Sequence, residues 1–253
     1  MSFDSRRSRC SSRIGQSALA LFALACAGVA TQARADGEWQ HTFAPYIWGA
    51  GLDGTTGLGP VTSEVDLSFS DIVETLDGGF LAHFESSRGR WAVLADVVYM
   101  DLGQNFDQGK VEIKQTIFEL GGAYEVQDDF EVLFGARLND IDVEIDRFGG
   151  LLIPDIRVQG AQTWVDPFVG GRWNPEINDR WSFQGRADIG GFGVGSDFTW
   201  NVALTLLYEK SDKITFGFGY RVLDIDYEDG EGARRFVYDA QMPGLLLGVG
   251  FNF

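Results

Sequence analysis

The chain has 253 residues, 37 acidic against 20 basic, with 33 glycines and 20 phenylalanines and a formal net charge of −17. Such acidity argues against recognition of nucleic acid or anionic lipid through a basic patch. Both cysteines, Cys10 and Cys26, fall in the first 35 residues, so the remainder has no thiol for a disulfide, a nucleophile or a cysteine metal site.

Residues 1–35 read as a Sec signal peptide. Arg6, Arg7, Arg9 and Arg13 precede an apolar run at 17–30, and Ala33-Arg34-Ala35 offers a cleavage site before Asp36. Without that segment, 15 basic residues face 36 acidic ones, a net charge of −21. No later stretch has the apolar length of a membrane helix, so a membrane location would require strands.

Residues 36–253 divide into about ten alternating segments separated by turn signals. The first is 39–51. In the second, 78–88, Phe80, Ala82 and Phe84 oppose Leu81, His83 and Glu85. The third, 90–102, sets Trp91, Val93, Ala95, Val97 and Tyr99 against Asp96. A fourth covers 110–126, and a fifth, 130–145, places Val132, Phe134, Ala136 and Leu138 opposite Glu131, Arg137 and Asn139. The sixth is 156–173, the seventh 180–194, the eighth 197–208 and the ninth 213–228. The tenth, 243–253, presents Leu245, Leu247, Val249, Phe251 and Phe253 on one continuous apolar face.

What stands on the other face separates a soluble sandwich from a barrel in lipid. Arg137, Arg172, Arg186 and Arg221 lie in mid-segment there, with Glu85, Asp96, Glu119, Asp166 and Asp188. A sandwich would leave these groups in water, whereas a barrel turns them into its lumen. Trp91 and Tyr99, like Trp200 and Tyr208, are eight residues apart on the apolar face. That is roughly 20 Å along a membrane normal for tilted strands, the spacing of two aromatic girdles. Alternate connections are short, as on the periplasmic side of such barrels, and an even strand count puts both termini there.

Within the longest connection, 52–77, Val61, Val65, Leu67 and Phe69 alternate. A spanning strand here would make the count odd, so the segment reads as a hairpin extension above the membrane. Asp71 to Leu76 then reads as a short helix at the mouth. The expected fold is an all-β, up-and-down antiparallel transmembrane barrel of about ten strands, with eight or twelve as alternatives and a secreted β-sandwich as the competing architecture.

The stretches FAPYIWGAGLDG (Phe43 to Gly54), GRWAVLADVVYMDL (Gly89 to Leu102) and GYRVLDIDY (Gly219 to Tyr227) give the chain a character that resembles the small, porin-like outer-membrane β-barrel proteins of proteobacteria. A final strand bearing Phe251 and ending at Phe253 resembles the assembly signal that their insertion machinery reads. The resemblance implies a Gram-negative outer-membrane location, with membrane lipid, lipopolysaccharide and the barrel-assembly machinery as partners and a monomeric state. It specifies architecture well and activity poorly, since the group spans passive channels, membrane-stabilising proteins, adhesins and a few enzymes.

The residues offer little for catalysis. Only His41 and His83 remain after residue 35, and no nucleophile elbow, zinc-protease motif or phosphate loop occurs. No enzyme, cofactor or metal centre is expected. Asp140, Asp142, Glu144 and Asp146 form an acidic row on the fifth segment, as do Asp224, Asp226, Glu228 and Asp229 on the ninth, and these rows read as a solvated acidic rim in preference to a divalent-ion site. Opposed by Asp96, Glu119, Asp166 and Asp188, the four arginines at 137, 172, 186 and 221 are expected to form a hydrogen-bonded network that fills a narrow lumen. A structural or surface-interaction role follows, with a passive small-solute channel as the alternative.

Overall fold

The computed structural model describes residues 37–70, 76–106, 109–147 and 156–253. The expected signal peptide lies outside them. Thirteen strands follow in order: β1 (Gln40–Ala50), β2 (Leu52–Leu58), β3 (Val61–Leu67), β4 (Leu76–Arg88), β5 (Trp91–Phe106), β6 (Gly109–Gln127) and β7 (Phe130–Arg147). After them come β8 (Ile156–Trp173), β9 (Glu176–Asn178), β10 (Trp181–Gly190), β11 (Phe198–Ser211), β12 (Ile214–Asp229) and β13 (Phe236–Asn252).

Ten of these close an antiparallel barrel in the order β1-β4-β5-β6-β7-β8-β10-β11-β12-β13, with β13 pairing back onto β1. The seam is fastened where the chain's two ends meet: His41 and Phe253 exchange backbone hydrogen bonds, each 2.9 Å. A closed ring leaves no unpaired backbone edge at this level, which makes a wholly apolar outer surface tolerable in lipid. Around the termini end the hairpins are tight. Gly89 (φ 58°) and Asp129 (φ 64°) adopt the left-handed conformation that two-residue turns require.

The hairpin expected within 52–77 is present as β2 and β3, which turn at Gly59-Pro60; β2 pairs with β13 above the point where β1 leaves it, and β3 pairs with β2. The expected helical turn falls mainly on 71–75, outside the described residues, and Leu76 already belongs to β4. Several boundaries differ from the sequence reading: β10 ends at Gly190, short of the expected 194, and β11 runs past the expected 208 to Ser211. The last strand begins at Phe236, seven residues before Pro243, and β5 runs on to Phe106. In the last strand the extension lies where the outward face is no longer apolar, with Asp239 exposed there.

That change of polarity organises the molecule. Near the termini end Phe43, Phe84, Val93, Phe134, Phe218 and Leu247 are exposed on the outside, while polar groups fill the inside. Farther along the same strands the inside becomes an apolar core, containing Val98, Met100, Ile117, Ile141, Val143, Leu223, Ile225, Tyr238 and Met242. The outside there carries Asp140, Asp142 and Asp226. Because β10 and β11 stop at Gly190 and Phe198, β8 and β12 have no strand between them at the distal end. Trp164 and Tyr227 bridge that gap with rings stacked 3.8 Å apart. The distal half is therefore two walls, β5 to β8 and β12-β13-β2-β3, facing each other across an apolar core as sheets in a sandwich do. Leu58 at the hairpin tip reaches across to Gly160 of β8, where a side chain would occupy the same space.

Tyr99 and Trp200 stand at this boundary. Tyr99 lies in the register row of Thr116 and Asp140, and Trp200 lies beside Asp224. Trp91 and Tyr208 sit at the opposite edge of the apolar band, where Trp91 packs on Tyr124 and Tyr208 on Trp181.

Candidate functional site

The lumen is built on a shelf of glycine. Gly121, Gly135 and Phe168 share one register row across β6, β7 and β8. The Phe168 ring lies back over the two glycines, and a Cβ at Gly135 would come within 2.7 Å of it. On this ring rest two guanidinium groups, those of Arg137 at 5.4 Å and Arg186 at 5.6 Å. The quadrupole of a buried aromatic face favours a cation in that position.

Arg137, fully buried, donates through Nη2 to Glu119 Oε2 (3.0 Å) and Asp188 Oδ1 (2.8 Å). Arg186 donates to the remaining oxygens of the same two carboxylates, Glu119 Oε1 (2.7 Å) and Asp188 Oδ2 (2.8 Å). The four side chains thus make a closed cycle of alternating charge drawn from β6, β7 and β10. Asn201 extends it by donating to Asp188 (2.8 Å) and accepting from Arg221 Nε (2.8 Å). Arg221 covers the Trp48 ring at 4.7 Å and lies 3.8 Å from Asp96, which also accepts from Tyr46 Oη at 2.9 Å. His83 stands between Asp96 (3.3 Å) and Glu85 (3.7 Å). Arg172 completes the chain of contacts, donating to both Glu85 oxygens (2.6 and 2.9 Å) from the opposite wall and to Glu131 (2.6 Å).

Seven of the eight residues expected in the charge network stand in this assembly. Asp166 stands apart from it. Although it neighbours Arg137 in register, its oxygens accept from Ser196 N (2.6 Å), Ser196 Oγ (2.8 Å), Asn139 Nδ2 (2.9 Å) and Trp164 Nε1 (3.0 Å). Neutral donors saturate the carboxylate, and it anchors the short connection between β10 and β11. Sequence reasoning missed Glu131, Tyr46, Trp48, Asn201 and Phe168 as members of the assembly. The available signals were the inward alternation of Tyr46 and Trp48 along β1 and the place of Glu131 on the same face as Arg137 in β7.

Three layers therefore succeed one another along the lumen. A cavity of about 370 Å³ opens at the termini end, lined by Thr42, His83, Glu85, Gln184, Thr205 and Asn252 among others. Gly217, Gly248 and Gly250 leave it its width. Above it lies the ion-pair layer, and above that the apolar core. His41 lies outside this path, stacked between Trp39 and Phe84 and tilted against Phe253. Among the described residues no three histidine or carboxylate side chains converge so as to hold a metal ion.

In comparison with known proteins, the structure resembles outer-membrane β-barrels. It aligns with the translocator domain of the autotransporter NalP from Neisseria meningitidis at a TM-score of 0.43 and 11% identity, covering 94% of this chain and 96% of that one. With the attachment invasion locus protein Ail of Yersinia pestis the values are 0.42 and 10%, covering 86% and 100%. With a Pseudomonas aeruginosa FadL homologue they are 0.41 and 12%, covering 85% and 90%. No family model and no curated protein matches the chain.

Proposed function

We propose that the protein is a monomeric outer-membrane barrel of a Gram-negative bacterium, exported by a signal peptide at 1–35, with a closed lumen and a structural or surface-interaction role. The observation that carries this reading is the double closure. A buried hydrogen-bonded layer of arginines and carboxylates spans the lumen, and an apolar core lies above it. Solute passage would require both to part. Opening the ion-pair layer strands buried charge, at a cost of about 3–5 kcal/mol for each partner lost. The outward apolar band between the two aromatic rows suits a bilayer, and the acidic distal surface suits contact with whatever lies beyond it. In this reading membrane lipid and lipopolysaccharide surround the wall, the assembly machinery engages the strand ending at Phe253, and no catalysis is assigned.

The vestibule of about 370 Å³ supports the second reading, a passive small-solute channel, because it is already open at one end. Single-channel recording in planar bilayers separates the two. The closed reading expects no stable large currents from the wild type and leak currents from Arg186→Ala or Arg221→Ala. Large stable currents from the wild type, unchanged by either substitution, would replace it with the channel.

A further inference from the structure

The two distal walls differ in how their outer faces are neutralised. On the β5 to β8 wall four carboxylates have basic partners: Lys110 pairs with Glu112, Lys114 with Asp101, and Arg157 with Glu144 and Asp146. On the β12-β13-β2-β3 wall, Asp226 pairs in register with Asp239, and Asp239 with Thr55 beside Glu64. One row lower, Asp224, Gln241, Asp53 and Asp66 lie side by side. Among the described residues the one ion pair on this face joins Arg235 to Glu228. Burial, reinforced by Asp239, holds the Asp226 carboxyl above its ordinary range, as expected where negative charge lacks a counter-ion.

The same wall ends in a free strand edge. β3 pairs with β2 on one side, and among the described residues no strand pairs with its other side. Leu58 and Val61 flank the two-residue Gly59-Pro60 turn, where Gly59 has φ 60°. A tight turn of this kind makes the flanking pair a hydrogen-bonded one. Counting along the antiparallel ladder by twos, the N–H and C=O groups of Thr62, Glu64 and Asp66 then point to the free edge. Those three side chains are all exposed, on the acidic face.

We infer that β3 is a docking edge for an extended, lysine- or arginine-bearing segment of another polypeptide, which adds to the sheet as a further strand. Backbone bonds to residues 62, 64 and 66 supply the attachment, and basic side chains alternating along the segment meet Asp53, Glu64 and Asp66. This rests on the surface-interaction reading above and gives the partner its chemistry. An acidic segment is rejected by charge, and a segment unable to extend cannot form the ladder.

The test uses the full chain in detergent micelles and a short labelled peptide of alternating lysine and valine, with binding read by fluorescence anisotropy and amide exchange read at residues 62, 64 and 66. Expected are saturable binding, slowed exchange at those three amides, and a roughly tenfold loss of affinity when alternate peptide nitrogens of the probe are methylated. Glu64→Pro removes an edge donor and should weaken binding by a similar factor. If that variant misfolds, the double substitution Glu64→Lys with Asp66→Lys keeps the backbone and should transfer preference to a glutamate–valine peptide. The inference is overturned if the lysine peptide does not bind, if the glutamate peptide binds the wild type equally, or if protection appears on another strand. Micelle binding and bilayer conductance are separate measurements, so this inference and the closed-lumen reading fail by different results.

Discussion

The termini half and the distal half of this molecule share most of their strands and obey opposite rules. Along β7, Phe134 faces outward and Arg137 inward in the first region, whereas Asp142 faces outward and Ile141 and Val143 inward in the second. β12 repeats the reversal, with Phe218 outside and Arg221 inside, then Asp226 outside and Ile225 inside. The period of two is never broken. What changes is the solvent each face meets, so the strands are continuous but the hydrophobic effect acts on opposite sides at their two ends.

The largest expected effect comes from the polar interior. Arg137→Ala leaves Glu119 and Asp188 each short of a buried partner and should cost about 3–5 kcal/mol, measured by urea unfolding in micelles. A change under about 1 kcal/mol would mean that water enters this layer freely. In the apolar interior, Leu223→Ala removes a fully buried side chain and should cost about 2–4 kcal/mol. Its signature is regional: amide exchange should quicken around Ile141 and Tyr238 while the ladder joining β1 to β13 stays protected. Uniform quickening would show that the two halves unfold as one unit.

Gly135→Ala should cost about 1–3 kcal/mol, because the new methyl group meets the Phe168 ring and the Leu120 carbonyl. Losing less would mean that the ring can leave its shelf without disturbing Arg137. A smaller effect concerns pH. The Asp226 carboxyl is raised above its ordinary value of 3.8 in the folded chain, so the folded state binds more protons than the unfolded one across that window. Its contribution is present below that value and lost as the pH climbs through the raised one. Protection of distal amides, after allowance for the intrinsic base-catalysed exchange rate, should therefore be slightly lower at neutral pH than at mild acidity, and Asp226→Asn should flatten this dependence. Last, Asp142→Asn on the exposed outer face of the neutralised wall should change stability by no more than about 0.5 kcal/mol.

Much of the architecture is written in the chain. Alternation with period two, two eight-residue aromatic spacings and short alternate connections were enough for a ten-stranded antiparallel barrel, because side-chain direction in a strand is a local property. The hairpin at 52–67 was legible for the same reason, and so was the inward direction of the four arginines. Partner choice was not. Arg137 passes over its register neighbour Asp166 to reach Asp188 on β10, since Ser196, Asn139 and Trp164 already saturate Asp166. Bonds across the lumen depend on barrel closure and strand stagger, and no single segment carries that information. Nor does alternation reveal which face meets water: Leu223 and Ile225 share the face of Arg221, and only the opposite wall buries them in an apolar core. Local alternation fixes the strands and the direction of their side chains; which charges meet, and where the inside turns from polar to apolar, is settled only in the folded barrel, because both depend on distances between strands far apart in the chain.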